Sequence, residues 1–195
     1  MSETGYSPTV YPTESVALAT TMPQWRSSKA RTLHLINGEH YSGAERVQDL
    51  LALQLPKFDY QVGFACVKPG KFPSTRLSDC PLYEVPMKSK TDLGMLQSLQ
   101  NVVERDKYDI VHAHTPRTAV YGSLLSRATG LPLVYHVHSP VGRDSTRYLQ
   151  NWINGQMERL SLSMVKRLIT VSHSLGKYMK EEGHDEKIIS VVPNG

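Results

Sequence analysis

Residues 109–138 read DIVHAHTPRTAVYGSLLSRATGLPLVYHVH, and this stretch decides the fold class. Two nearly continuous apolar runs, DIVHAH and LPLVYHVH, stand on either side of a segment with helical spacing, Thr118–Thr129. Apolar runs of this kind are typical of strands whose two faces are both covered by helices. Two such strands separated by a helix predict a parallel βαβ unit.

The same alternation extends along the chain from Arg31. Further strand-like runs are RTLHLIN, YQVGFACV, RLITVS and IISVV, and further helical patterns cover Gly43–Leu55, Leu93–Lys107, Thr146–Lys166 and Leu175–Glu182. An eight-stranded barrel takes roughly 250 residues, whereas about six strands are found here in about 165. We therefore expect an α/β fold, a Rossmann-like doubly wound parallel sheet with ligands beyond the carboxyl ends of its strands.

Composition and charge restrict the class of protein. Residues 1–30 are rich in Ser, Thr, Pro and Tyr without periodicity, which predicts a flexible leader before one domain over residues 31–195. A net charge of +4 without a block of basic residues does not indicate a nucleic-acid partner. Cys66 and Cys80 are the only cysteines, so a reducing compartment is expected. Without a signal peptide or an apolar span we expect a cytoplasmic chain.

The first strand is followed by a loop with two glycines, Gly38 and Gly43. Their spacing is that of a phosphate-binding loop, but Ala44 and Glu45 occupy the places where such a loop needs Lys and Ser or Thr. One hypothesis is that the helix N-terminus at Gly43 receives an anion on its free backbone N–H groups. The alternative is a turn in which Gly43 allows tight packing and Glu45 favours the helix start.

Two strands end in alternating histidines, His112 with His114 and His136 with His138. Since side chains alternate along a strand, both members of each pair lie on one face of the sheet. A metallo-hydrolase is the rival hypothesis, but residues 115–117 read TPR and supply no carboxylate, so we expect no metal. We interpret His112 and His136 as core residues beneath a helix with satisfied nitrogens, and His114 and His138 as groups that face a substrate.

The segment Thr146–Lys166 has apolar residues at helical spacing, as one amphipathic face packed on a core would have. The alternative is that Arg143 and Arg147 contact a phosphorylated acceptor or an anionic lipid surface.

Five segments together resemble the N-terminal domain of family-four glycosyltransferases of the GT-B fold. In chain order they are SGAERV (residues 42–47), YDIVHAH (108–114), GLPLVYHVHS (130–139), LITVSHSLGKYM (168–179) and KIISVVPNG (187–195). The chain departs from the usual pattern at one point, where members often have two glycines and this sequence has Ser42 and Gly43.

The resemblance implies half of an enzyme with two facing Rossmann-like domains. Residues 31–195 would be the acceptor-side domain, and the C-terminal donor-binding domain is absent from this chain. The resemblance further implies the following roles: His138 at the transferred sugar, Ser42 and Gly43 at the donor diphosphate, and His114, Thr115 and Ser139 on the acceptor side, where we add Arg143.

The implied reaction moves a sugar from a nucleotide diphosphate sugar to a hydroxyl acceptor, a glycan, lipid or small molecule, with retention of anomeric configuration. The nucleotide sugar is a co-substrate, and no cofactor is required. The expected partners are these substrates and the C-terminal domain of the same protein, with peripheral contact to the inner face of the membrane as a further option. A stand-alone sugar- or phospholipid-binding module is the other alternative.

Overall fold

A computed structural model describes residues 28–89, 92–138 and 163–193 of the chain. Its strands are β1 (Ala30–Ile36), β2 (Tyr60–Cys66), β3 (Leu82–Glu84), β4 (Ile110–Ala113), β5 (Leu133–Val137), β6 (Val165–Thr170) and β7 (Ile189–Val191). The α-helices are α1 (Gly43–Gln54), α2 (Lys71–Thr75), α3 (Leu93–Asp106), α4 (Pro116–Thr129) and α5 (His173–Glu181), and Leu55–Phe58 and Glu186–Ile188 form short 3-10 helices.

All seven strands form one parallel sheet in the order β3-β2-β1-β4-β5-β6-β7. The predicted α/β, Rossmann-like class is confirmed. Successive strands are added on one side of β1 up to β3, and the chain then crosses back to add β4 to β7 on the other side. The order therefore reverses between β1 and β4, and ligands of open α/β sheets bind at such a switch point, outside the carboxyl ends of the strands.

Several boundaries differ from the sequence-based expectation. The short strand β3 and helix α2 have too few residues to show a period, and they were not predicted. The domain begins before Arg31, because the Lys29 N–H donates to the carbonyl oxygen of Asp59 and Ala30 already belongs to β1. Residues 146–162 of the predicted helix Thr146–Lys166 lie outside the described residues, and its last two positions belong instead to β6.

Side chains alternate across the sheet into two packed layers. On one face, Leu33 and Leu35 of β1 join Val111 and Ala113 of β4 in a core under α3 and α4. On the other face, a second core below α1 and α2 is formed by Ile36, Ala52, Val62, Phe64, Cys66 and Phe72. Burial on both faces explains why the central strands read as continuous apolar runs.

Within the described ranges, none of the helices combines the length and the apolar character that a membrane crossing requires.

Candidate functional site

Five histidines lie together on one face of the sheet, within or directly after β1, β4 and β5. His34 is the register partner of His112, so these two side chains share a face across the switch point. Ring centroids in the cluster are separated by 4.6 Å (His34 to His112), 4.2 Å (His112 to His114), 5.9 Å (His114 to His138) and 4.3 Å (His136 to His138). We call these five residues, His34, His112, His114, His136 and His138, the histidine cluster.

Several ring nitrogens of the cluster are buried and have no hydrogen-bond partner among the residues that the structure describes. They are His112 Nε2, His114 Nδ1, both nitrogens of His136 and His138 Nε2. The expected burial of His112 and His136 is confirmed, whereas the expected partners for their nitrogens are wrong for His112 Nε2 and for both nitrogens of His136 within the described residues. A buried polar group without a partner costs about 1–3 kcal/mol, and groups of this kind concentrate at functional sites.

Burial keeps the histidine cluster uncharged at neutral pH. Burial lowers the pKa of His34 to about 4, although the hydrogen bond to Gln48 acts to raise it. Burial also lowers the pKa of His136 to about 3. Burial and the neighbouring imidazoles hold the pKa values of His112 and His114 well below the ordinary value. Each neutral imidazole offers one donor and one acceptor, and a sugar hydroxyl can pair with both.

The N-terminus of α1 lies beside the histidine cluster. Burial lowers the pKa of His138, whereas the negative charge of Glu45 in the first turn of α1 acts to raise it, so the two side chains are close enough to interact. Ser42 precedes the helix, and no side chain caps this end. The Ser42 hydroxyl donates to Glu45 Oε2 at 3.0 Å. Both Ser42 and Gly43 are exposed.

Gly43 does not serve tight packing, because a Cβ built at this position would meet no atom within 4 Å. The packing part of that alternative is wrong within the described residues, whereas Glu45 does lie in the first turn of α1, as the alternative expected. The other glycine of the loop is constrained: Gly38 has φ +85°, and a Cβ there would lie 2.8 Å from Cys66 Sγ. Gly38 thus lets the chain turn from β1 toward α1.

Asp49 anchors this loop from beneath. Its carboxylate accepts hydrogen bonds from the Tyr41 hydroxyl (2.7 Å), from the Leu77 N–H (2.7 Å) and from the Ser78 N–H (3.0 Å). The same hydrogen bonds lower the pKa of Asp49, although burial acts to raise it. A buried carboxylate with this many donors holds the β1–α1 loop against the segment after α2.

Thr115 is half-buried next to the histidine cluster and caps α4. Its hydroxyl oxygen accepts from the Thr118 N–H, and Thr118 Oγ1 in return accepts from the Thr115 N–H at 2.9 Å, which is a reciprocal capping box. The Thr115 hydroxyl also lies 3.5 Å from Asn37 Oδ1 at the end of β1. Ser139 and Arg143, the other predicted acceptor-side residues, lie outside the described residues.

Two sets of three imidazoles are close enough to share one ion. One set is His34, His112 and His114, and the other is His114, His136 and His138; within each set the three ligand atoms lie within 4.8 Å of one another. Neither set contains a carboxylate or a thiolate.

Sequence reasoning missed two members of this site, His34 and Gln48. His34 stands at the centre of β1, a strand whose other central residues are apolar, so a polar residue there was an available signal. Gln48 gave no comparable signal, because a glutamine in an amphipathic helix is ordinary. Only its burial in the structure, at 0% exposure, marks it.

Comparison with known sequences gives a family match over most of the chain. The profile of Glycosyltransferase Family 4 matches residues 41–195. A curated relative from Escherichia coli, UDP-Gal:alpha-D-GlcNAc-diphosphoundecaprenol alpha-1,3-galactosyltransferase, is 28% identical in an alignment of 180 residues that covers 86% of this chain and 45% of the relative. The chain therefore spans about half the length of the curated relative it matches.

Comparison with solved structures supports the fold. The chain resembles Anabaena Alr3699/HepE in complex with UDP and glucose, with a TM-score of 0.66, 20% identity, and coverage of 85% of this chain and 44% of that one. It also resembles a UDP-N-acetylglucosamine 2-epimerase, with a TM-score of 0.62, 14% identity, and coverage of 86% and 49%. At these identities the likeness shows the fold alone, a Rossmann-like domain that makes up about half of each larger protein.

Proposed function

The chain belongs to glycosyltransferase family 4, and we propose that it is the N-terminal half of an enzyme that transfers a sugar from a nucleotide diphosphate sugar to a hydroxyl acceptor, with retention of anomeric configuration. The observation that carries the proposal is the histidine cluster, whose buried nitrogens have no partner in the structure and lie at the switch point of a family-four domain. A second domain of the full-length protein would supply the donor pocket, consistent with the 45% coverage of the relative.

We propose a UDP-sugar as the donor. The name of the E. coli relative includes UDP-Gal, and the Anabaena structure contains UDP and glucose. Ser42 and Gly43 would contact the donor diphosphate: the start of α1 has no side-chain cap and is open to solvent. Unpaired backbone N–H groups and the helix dipole favour an anion at such an end.

The acceptor would bind His114 and Thr115 at the carboxyl edge of β4, and we propose Ser139 and Arg143 as further acceptor-binding residues. His114 is 4% exposed, and its Nδ1 has no partner among the described residues, so a hydroxyl group of the acceptor could satisfy it. We propose a glycan, a lipid or a small molecule as the acceptor of a cytoplasmic enzyme, with peripheral contact to the membrane.

The chemistry assigned to this half is positioning and hydrogen bonding rather than nucleophilic attack. His138 would donate to the transferred sugar or to the leaving diphosphate as the glycosidic bond to phosphate breaks. A neutral donor held in place before the reaction stabilises negative charge that develops in the transition state.

The fold itself is shared by an enzyme class of different chemistry, the 2-epimerases. The family match and the name of the E. coli relative favour transfer over epimerisation. An assay separates the two: the full-length enzyme is incubated with UDP-hexoses, with and without a hydroxyl acceptor, and UDP and glycoside are measured. Acceptor-dependent glycoside with the anomeric configuration of the donor supports the proposal. Conversion of the donor to its epimer without an acceptor contradicts it, and tight sugar binding without turnover indicates a binding module.

We propose that the reaction needs no metal, as the family resemblance implies, although the two sets of three imidazoles could hold an ion. Elemental analysis of protein purified without a histidine tag tests this. We expect less than stoichiometric zinc or manganese and no loss of activity with a chelator. Stoichiometric metal that disappears in His114→Ala would contradict the proposal and favour the metallo-hydrolase.

A further inference from the structure

Gln48 connects helix α1 to the histidine cluster. It is fully buried, and its Oε1 lies 3.2 Å from Nδ1 of His34. No role in the proposed transfer has been assigned to either residue. A buried glutamine that reaches a buried imidazole can determine where that imidazole carries its proton, because an amide oxygen can only accept.

The same nitrogen of His34 also faces His114. His34 Nδ1 and His114 Nε2 are 2.9 Å apart, and the two rings are inclined by only 14° with centroids 5.0 Å apart. Nearly parallel rings cannot lie face to face with two atoms at this distance, since stacked carbon atoms keep about 3.5 Å. The rings are therefore arranged edge to edge, as an N–H···N hydrogen bond in the plane of both rings requires.

The three side chains admit a consistent proton arrangement. With the Gln48 oxygen as acceptor, His34 carries its single proton on Nδ1, and this proton is shared between Gln48 and His114 in a three-centre hydrogen bond. His114 Nε2 must then accept, because two N–H groups would otherwise point at each other. A neutral imidazole has one proton, so that of His114 lies on Nδ1. That atom is buried and has no partner in the structure.

We propose that Gln48 and His34 are positioning residues that hold His114 in the tautomer protonated on Nδ1, which makes His114 a hydrogen-bond donor to an oxygen of the bound sugar substrate. The identity of the ligand rests on the proposed function; the tautomer does not. His114 is then a donor and not a base for the acceptor hydroxyl, since its free nitrogen has no lone pair to take a proton. Burial, which keeps the cluster neutral at physiological pH, supports this assignment.

NMR of the chain with isotope-labelled histidine tests the tautomer without any substrate, because protonated and unprotonated ring nitrogens have distinct chemical shifts. The His114 signals are identified by their absence in His114→Gln. At neutral pH we expect the Nδ1-protonated form for His34 and His114. A His114 protonated on Nε2 in the unsubstituted chain overturns the proposal, and it would mean that the Gln48 amide has its nitrogen toward His34.

Variants of Gln48 test the cause. Gln48→Met keeps the side-chain length but removes the acceptor, and we expect the His114 signals to move toward the Nε2-protonated form. Gln48→Glu keeps an acceptor and should retain the Nδ1-protonated form. Gln54→Met is the matched control, since Gln54 is exposed at the end of the same helix, and it should change nothing. If Gln48→Met leaves the His114 tautomer unchanged, Gln48 does not set it.

The full-length enzyme tests the consequence. In Gln48→Met, kcat/KM should fall about tenfold, the loss expected for one misdirected hydrogen bond, whereas Gln48→Glu should restore most of it. Unchanged kcat/KM in Gln48→Met overturns the donor role. If the tautomers behave as expected and even the unsubstituted enzyme transfers no sugar, the proposed function fails while the positioning of His114 stands.

Discussion

His138 follows the last residue of β5 and is the residue that we assign to the transferred sugar. Its Nε2 is buried without a partner in the structure, and the first turn of α1 lies nearby through Glu45. A hydrogen bond that strengthens as the bond to diphosphate breaks acts mainly on the rate constant. In the full-length enzyme, His138→Ala should lower kcat by about 10²-fold to 10³-fold, the usual effect of losing one positioned donor.

Steady-state kinetics normalised to folded protein measure this effect, with His136→Ala as the comparison. His136 is one pleat earlier on the same face and more deeply buried, so its replacement should act mainly through stability and lower the kcat of the folded fraction less than His138→Ala does. If His138→Ala retains near-normal turnover, His138 is not in the site, and His114 becomes the better candidate.

The neutral state of the histidine cluster makes folding sensitive to acid. His34 and His136 have folded-state pKa values of about 4 and about 3, lowered by burial, whereas an unfolded histidine titrates near 6.5. The unfolded chain thus binds more protons between these values. Above about pH 6.5 these histidines are neutral in both states, and the free energy of unfolding has its full value. As the pH falls toward 4, we expect this free energy to decrease by on the order of 1 kcal/mol per pH unit for each histidine.

Urea unfolding of the chain at a series of pH values measures this dependence. His136→Leu should reduce the pH dependence of the free energy of unfolding by about one proton. It should also raise stability at neutral pH, because neither nitrogen of His136 has a partner within the described residues. A pH dependence unaffected by His136→Leu would contradict the burial of a neutral imidazole at this position.

At the scale of an element, Thr115 lies in the candidate site and is also the N-cap residue of α4. Its hydroxyl completes the capping box with Thr118. Thr115→Ala should therefore lower the free energy of unfolding by about 1 kcal/mol, the usual cost of losing an N-cap. Thr115→Ser keeps the hydroxyl and should be nearly neutral, and denaturant titration of both variants measures the difference. Equal stability of the alanine and serine variants would mean that the cap contributes nothing.

At the scale of the whole molecule, the chain should fold by itself but turn over no sugar nucleotide. The seven strands pair without a gap, and cores lie on both faces, whereas the proposed donor pocket belongs to a second domain. Circular dichroism should show one cooperative unfolding transition. The test supplies the purified chain, free of contaminating enzymes, with a UDP-sugar and an acceptor. Release of nucleotide above a blank would contradict the prediction that the chain alone has no turnover.

Sequence patterns predicted most of the fold but less of the candidate site. The long helices and the central strands follow from the period of their apolar residues, and the shared face of each histidine pair follows from strand alternation. The strand β3 and helix α2 escaped prediction because three or five residues cannot display a period. The expectation that His112 and His136 have hydrogen-bonded nitrogens failed, because a hydrogen-bond partner is a neighbour in space and not a neighbour along the chain.

By itself, the sequence therefore determined the α/β class, the family resemblance and the positions of His114 and His138 at strand ends, because each of these depends on local order along the chain. Only the tertiary structure decided that His34, 80 residues before His114, hydrogen-bonds to it, and that Gln48 of α1 reaches the same ring nitrogen. The register between β1 and β4 brings these side chains together. Such a register is set by long-range pairing and packing, which no local pattern contains.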